Sequence, residues 1–197
     1  MRRTSFASMS CSVARSLEQI GDWWTLLVIR EAFYGTRRFK DFEAHLGIAP
    51  NILSGRLSKL VEHEIFVITE TTLGGKALEY RLSDKGRDLF PIIVAIAQWG
   101  DKHASGPKGP PIRIVERATQ EEIGPITLRS SRGQPLIPRE VTVVEGPGAT
   151  KADKKRFEEV RRQRLARAGE AAKPAAEAEK PATTRRRAPA KAAKPAG

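Results

Sequence analysis

The run FKDFEAHLGIAPNILSGRLSKLVEH, residues 39–63, constrains the fold more than any other part of the chain. It reads as two short helices joined by a tight turn. In the second helix Leu53, Leu57, Leu60 and Val61 recur at i, i+4, i+7 and i+8, which places them on one buried stripe. At about 100° per residue, the direction opposite that stripe falls on Asn51, Gly55, Ser58 and Lys59, with Ser54 and Arg56 on its flanks. That face is small, polar and mostly basic, so it can approach a polyanion closely. Gly47 suits the turn between the helices. Pro50 suits the first helical position, where its missing N–H has no intrahelical partner in any case. A pair of this kind is a candidate for presenting a helix to a DNA groove.

The flanking patterns agree with that reading. Residues 13–20 place Val13, Leu17 and Ile20 on one side of a short helix. Gly21-Asp22 interrupts it, and either Asp22 or Thr25 can cap the helix that follows. From Trp24 to Tyr34 the chain is apolar on nearly every side, as expected of a central core helix, and Gly35 ends it. After the helix pair, residues 65–69 are β-branched and aromatic, residues 71–76 contain Gly74-Gly75, and residues 77–82 alternate again. Strand, glycine turn and strand make a hairpin; directly after a recognition helix, a hairpin is a wing. Ser83 caps a last helix running to about residue 103, which Pro91 must kink or split. Its apolar residues Leu89, Ile92, Ile93, Ile96 and Trp99, with Val13 and Leu17 of the first helix, suggest a partner subunit. Packing onto the monomer's own core fits their period equally well.

Residues 1–150 carry 20 Lys/Arg against 17 Asp/Glu, and residues 151–197 carry 15 against 6, so three quarters of the net charge of +12 lies in the tail. A basic tail points to nucleic acid or another acidic partner, or to a solvated extension. The single cysteine, Cys11, excludes an intrachain disulfide and fits a reducing compartment. No apolar run follows Met1-Arg2-Arg3, and none approaches a membrane span, so a soluble, cytoplasmic, nucleoid-associated protein is expected. The expected organisation is an arm at residues 1–10, a DNA-binding and dimerisation domain at 11–105, a linker at 106–111, a small β-unit at 112–146 and a largely disordered basic tail at 147–197. Within the β-unit, residues 112–115, 125–128 and 141–144 alternate as short strands. At the start of the tail, residues 151–168 form a charged helix. The fold class is therefore mainly α with a small β-wing: a winged helix-turn-helix domain plus a small all-β unit and a tail.

The residues from Cys11 to His103 resemble the HxlR-type winged helix-turn-helix regulators. The likeness is carried by Cys11, Ile20-Gly21, Trp24-Thr25-Leu26-Leu27, Gly35, Arg38-Phe39, Leu53, Arg56-Leu57, Glu79-Tyr80, Leu82, Gly86, Pro91 and Trp99-Gly100, in that order. It implies a homodimer, built from the terminal helices, on a two-fold-related operator, and transcriptional repression or activation, in some members in response to electrophiles or oxidants. The chain departs from the pattern at Trp23, where a lysine is common, at Ala49, where a capping serine is usual, and at Glu64, where a glycine is expected. The string LRSSRGQPL, residues 128–136, resembles the second knuckle of a zinc ribbon, with Arg129 and Arg132 in the two ligand positions and Thr119 in one from the first knuckle. Neither residue type supplies a thiolate, so no zinc is expected.

DNA binding needs phosphate contacts for affinity and base contacts for specificity. Asn51 and Ser58 are the candidates for base edges, because Asn can pair bidentately with adenine and Ser is permissive. Gly55 lets the backbone come close, beside Ser54. Arg37, Arg38, Arg56 and Lys59 are candidates for phosphate or flanking contacts, and Lys76 at the wing tip for an adjacent groove. Cys11, at a helix N-terminus with Arg15 one turn on, has the surroundings of a reactive thiol sensor; the alternative is a small apolar residue without a role. His45, His63 and His103 lack metal-ligand spacing, and no constellation supports catalysis or a cofactor. The expected partners are double-stranded DNA and a second copy of the chain. Two other functions stay open: an architectural DNA binder dominated by the tail, and a protein-interaction adaptor that no longer binds DNA.

Overall fold

The computed structural model describes residues 5–71 and 77–171. The chain divides into two compact units, Met1–Val143 and Val144–Gly197. In the first, helices α1 (Ser12–Ile20), α2 (Trp23–Phe33), α3 (Phe39–Leu46) and α4 (Pro50–Glu62) lead into the hairpin β1 (Phe66–Thr71) and β2 (Ala77–Leu82), and then into α5 (Asp84–Arg87) and α6 (Phe90–His103). Four helices followed by a two-stranded hairpin and a terminal helix make a winged helix-turn-helix.

The core forms where the apolar stripes meet. Val28 and Ile29 of α2, Phe42 of α3, Leu53 and Leu60 of α4 are fully buried, and Ile48, Leu57, Ile65 and Phe66 nearly so. Helix α2 is central, as its all-round apolar character requires, although Trp23 at its start points away and is 75% exposed. Asp22, not Thr25, caps it: Trp24 N donates to Asp22 Oδ1 at 3.0 Å, while Thr25 is buried. Gly47 takes the left-handed conformation (φ 59°) that closes α3, and its N–H donates to Glu43 O at 2.9 Å. Pro50 then opens α4, without a side-chain cap from Ala49.

The wing pairs antiparallel from Phe66 with Leu82 to Thr71 with Ala77. The glycine turn and Lys76 lie outside the described residues. Ser83 Oγ accepts from Gly86 N at 3.0 Å and caps α5, and the chain restarts as α6 with Pro91 in its first turn. The proline has therefore split the last helix rather than kinked it. Gly86 is required there by close approach: a Cβ would sit 2.2 Å from the Ile65 carbonyl oxygen at the root of the wing.

Beyond α6 the expected strands are mostly absent. Residues 112–115 contribute one isolated bridge, Val115 to Glu122. Only β3 (Leu128–Arg129) and β4 (Pro135–Leu136) pair, followed by a 3-10 turn at Pro138–Glu140. Residues 141–144 form no strand. The side chains here are largely exposed, so no buried face exists to reward a regular sheet. Individual hydrogen bonds, some local and some from α6, hold the segment instead. Gln98 of α6 donates through Nε2 to Gly124 O (3.0 Å) and accepts from Ile126 N (2.8 Å). Arg129 Nη1 donates across the turn between β3 and β4 to Gly133 O at 2.8 Å.

In the second unit α7 spans Lys151–Ala171, three residues longer than expected. Its start is a reciprocal box: Thr150 N donates to Asp153 Oδ2 (2.9 Å), and Asp153 N donates to Thr150 Oγ1 (3.2 Å). The rest of the expected disordered tail lies outside the described residues. Among those described, no helix is long and apolar enough to cross a membrane.

Candidate nucleic-acid interface

Helix α4 divides as its sequence requires. Leu53, Leu57 and Leu60 are buried, Val61 is half-buried, and Asn51, Ser54, Gly55, Ser58 and Lys59 are exposed. A Cβ at Gly55 would meet nothing within 4 Å. Glycine in a helix interior costs about 1 kcal/mol relative to alanine, and no packing within the chain demands it here. What it leaves is a bare stretch of backbone on the outer face. The N-terminus of α4 has no side-chain acceptor from Ala49; Pro50 brings no N–H, and Ile52 N and Leu53 N both donate to Ala49 O at 3.0 Å.

Arg56 departs from the expected arrangement. Its Nη2 lies 3.1 Å from Asp22 Oδ2, with both side chains only about one-fifth exposed (21% and 22%). The other oxygen of Asp22 caps α2. One carboxylate thus ties the start of the core helix to the middle of α4. Arg56 can reach it because, at 100° per residue, it lies between the buried stripe and the outer face. Arg37 is held on the wing side: Tyr80 N donates to Arg37 O at 2.8 Å, and Arg37 Nη1 is 4.0 Å from Glu79 Oε2, which Arg81 also binds at 2.8 Å. Arg38 takes the cap position of α3 and is half-buried.

One feature escaped the sequence, and a second stands at Glu64, where the sequence marked only a departure from an expected glycine. Glu31, 7% exposed, accepts from Arg30 Nη2 (2.6 Å) and Thr36 Oγ1 (3.3 Å) and lies 3.4 Å from His45 Nδ1, joining α2, the following turn and α3. Its only sequence signal is a carboxylate inside an apolar helix. The second feature is at the end of α4, where Glu64 has φ 56°. Ser83 Oγ donates to Glu64 O (2.5 Å), and Lys85 Nζ donates to His63 O (2.7 Å). These bonds fasten the C-terminus of α4 to the root of the wing.

The apolar residues of α1 and α6 separate into two groups. Val13, Leu17, Ile92, Ile96 and Trp99 are exposed, by 67%, 45%, 45%, 49% and 64%. Ile93 belongs to the monomer core and Leu89, partly buried, packs against it, so both contribute to the monomer's own packing. Cys11 is exposed at the cap position of α1 and makes no side-chain capping bond.

The chain is similar to known proteins over this same region and beyond it. The family model described as HxlR-like helix-turn-helix matches residues 19–107. The uncharacterized HTH-type transcriptional regulator Rv3095 of Mycobacterium tuberculosis is 42% identical over 137 residues, covering 70% of this chain and 87% of its own length. The uncharacterized HTH-type transcriptional regulator YvaP of Bacillus subtilis is 32% identical over 89 residues, covering 43% of this chain and 80% of its own. Among solved structures, PA1607, described as a candidate transcription factor, matches with a TM-score of 0.68 and 43% identity over 73% of this chain and all of its own. A second candidate transcription factor, PA1374 from Pseudomonas aeruginosa, matches with a TM-score of 0.52 and 32% identity over 74% of this chain and 99% of its own.

Proposed function

The chain belongs to the HxlR-like helix-turn-helix family, and from that premise we propose that it regulates transcription as a homodimer on a two-fold-related DNA site. It is a transcriptional regulator with a helix-turn-helix DNA-binding domain, not an enzyme. In the proposed mode α4 enters the major groove of each half-site and the wing lies on flanking DNA. Asn51 and Ser58 read base edges, Ser54 and Gly55 allow close approach, and Lys59, Arg37, Arg38 and Lys76 serve the phosphates. Arg56 acts as a positioning residue, through Asp22, rather than as a phosphate ligand. Val13, Leu17, Ile92, Ile96 and Trp99 form the dimer surface.

The observation that carries this reading is the sidedness of α4. Its stripe is buried in the core, its outer face is small and polar, and a paired hairpin follows at once. The basic tail favours a second reading, a DNA binder of low specificity. Selection of binding sites from random duplexes, with the full chain and with a chain ending at residue 146, separates the two. Both forms are expected to enrich the same inverted repeat. Enrichment of no site by either form would overturn the regulator reading.

A further inference from the structure

Helix α4 has one exposed large apolar side chain, and it lies outside the buried stripe. Ile52 is 38% exposed, whereas Leu53, Leu57 and Leu60 are buried. Ile52 and Lys59 are seven residues apart, so they point in the same direction to within about 20°. That direction belongs to the outer side of the helix, where Asn51 and Lys59 are also exposed. The next turn leaves Ile52 open. Gly55, three residues on, has no side chain, and a Cβ built there would meet nothing within 4 Å. Arg56, four residues on, is held inward, with Nη2 3.1 Å from Asp22 Oδ2.

An apolar side chain at the edge of a polar face gains nothing from water or from phosphate oxygens. The base edges in the major groove offer hydrogen-bond donors and acceptors and one apolar group, the 5-methyl of thymine. In the proposed docking the first turn of α4 meets those edges, and Ile52 is the third residue of that helix. We propose that Ile52 is a specificity-determining residue, packing on the 5-methyl group of a thymine next to the base pair that Asn51 reads. Adjacent residues have Cα atoms about 3.8 Å apart, close to the spacing of about 3.4 Å between successive bases of a strand. The two side chains can therefore serve neighbouring base pairs. This inference deepens the DNA reading and rests on α4 entering the major groove.

The test uses the full chain on its selected duplex and on duplexes in which thymine is replaced, one position at a time, by deoxyuridine, which lacks only the methyl group. Fluorescence anisotropy is expected to show binding weakened about fourfold for each half-site at one position, as loss of one buried methyl requires. That position should adjoin the one where Asn51→Ala relaxes the preference. Ile52→Ala is expected to bind the thymine duplex as weakly as the parent binds the uracil duplex, and to ignore the methyl group. Its salt slope should stay unchanged, since no phosphate contact is lost. Ile52→Val keeps a branched side chain and should retain most of the methyl preference, with circular dichroism melts showing that both variants are folded. Equal affinity for the thymine and uracil forms at every position would overturn the inference and leave the DNA reading standing. A selected half-site with no thymine beside the Asn51 position would do the same. An Ile52→Ala variant that still distinguishes the two duplexes would place the methyl against another residue. If no site is selected at all, the inference falls together with the DNA reading.

Discussion

Arg56 on the outward-turning side of α4 and Asp22 at the start of α2 are held 3.1 Å apart, each about one-fifth exposed. Because Asp22 also caps α2, the pair fixes the proposed recognition helix to the helix that organises the core. A double-mutant cycle with Asp22→Ala and Arg56→Ala, read by urea unfolding, is expected to give a coupling of about 1 kcal/mol. Asp22→Ala alone should cost about 1 kcal/mol more than Arg56→Ala, through the lost cap. Strictly additive single effects would mean that the pair contributes nothing.

Gly55 faces open space, so replacing it tests function separately from stability. Gly55→Ala is expected to stabilise the chain by about 0.5–1 kcal/mol, since it removes a helix-interior glycine. The added methyl should nonetheless weaken operator binding at least tenfold in a gel-shift titration. A variant that is more stable and binds unchanged would show that the backbone at this point does not approach DNA.

Lys59 and Asn51 are expected to fail in different ways. Lys59→Ala should weaken binding to all sequences and lower the slope of log K against log salt by about 1, as loss of one phosphate contact requires. Asn51→Ala should lose about 1–3 kcal/mol on the selected site only, and relax the preference at one base position. Competition assays at several salt concentrations distinguish the two patterns.

Glu64 sits in the left-handed region at φ 56°, which an L-residue adopts at a cost of roughly 1–2 kcal/mol. Glu64→Gly is expected to stabilise the domain by about 1 kcal/mol, less the backbone entropy that glycine itself loses on folding. Ser83 and Lys85 bond to carbonyl oxygens at this corner, so those contacts remain. Urea unfolding checks the sign; a destabilised variant would mean that the carboxylate itself is needed.

Ile92 and Trp99 expose apolar surface that nothing in the monomer covers. Ile92→Glu and Trp99→Glu are each expected to convert a dimer into a monomer by sedimentation analysis, with helical circular dichroism retained. If both variants sediment as the parent does, the dimer surface lies elsewhere.

Much of the helix pair and its outer face was legible in the chain because its causes are local. The i, i+4, i+7 stripe of α4, the left-handed Gly47 and the Pro91 interruption act within one or two helical turns, and each has its expected structural outcome. The expected glycine at position 64 likewise marks a backbone conformation that the chain keeps even with glutamate there. Residues 112–144 were less legible. Alternation suggested strands, but a strand forms only when one face has something to cover, and here two bonds come from Gln98, a side chain distant in sequence.

The sequence by itself determined which helix turns outward and which hairpin follows it, since hydrophobic period and turn residues dictate faces without reference to the rest of the molecule. Only the tertiary structure decided that Arg56 is paired inward, that Glu31 is buried beside Thr36 and His45, and that Ile93 joins the core while Ile92 and Ile96 do not. A helix that is apolar on most sides carries no period that says which side is covered, and a charge pairs with whatever folding brings within about 4 Å of it. Both are properties of neighbours in space.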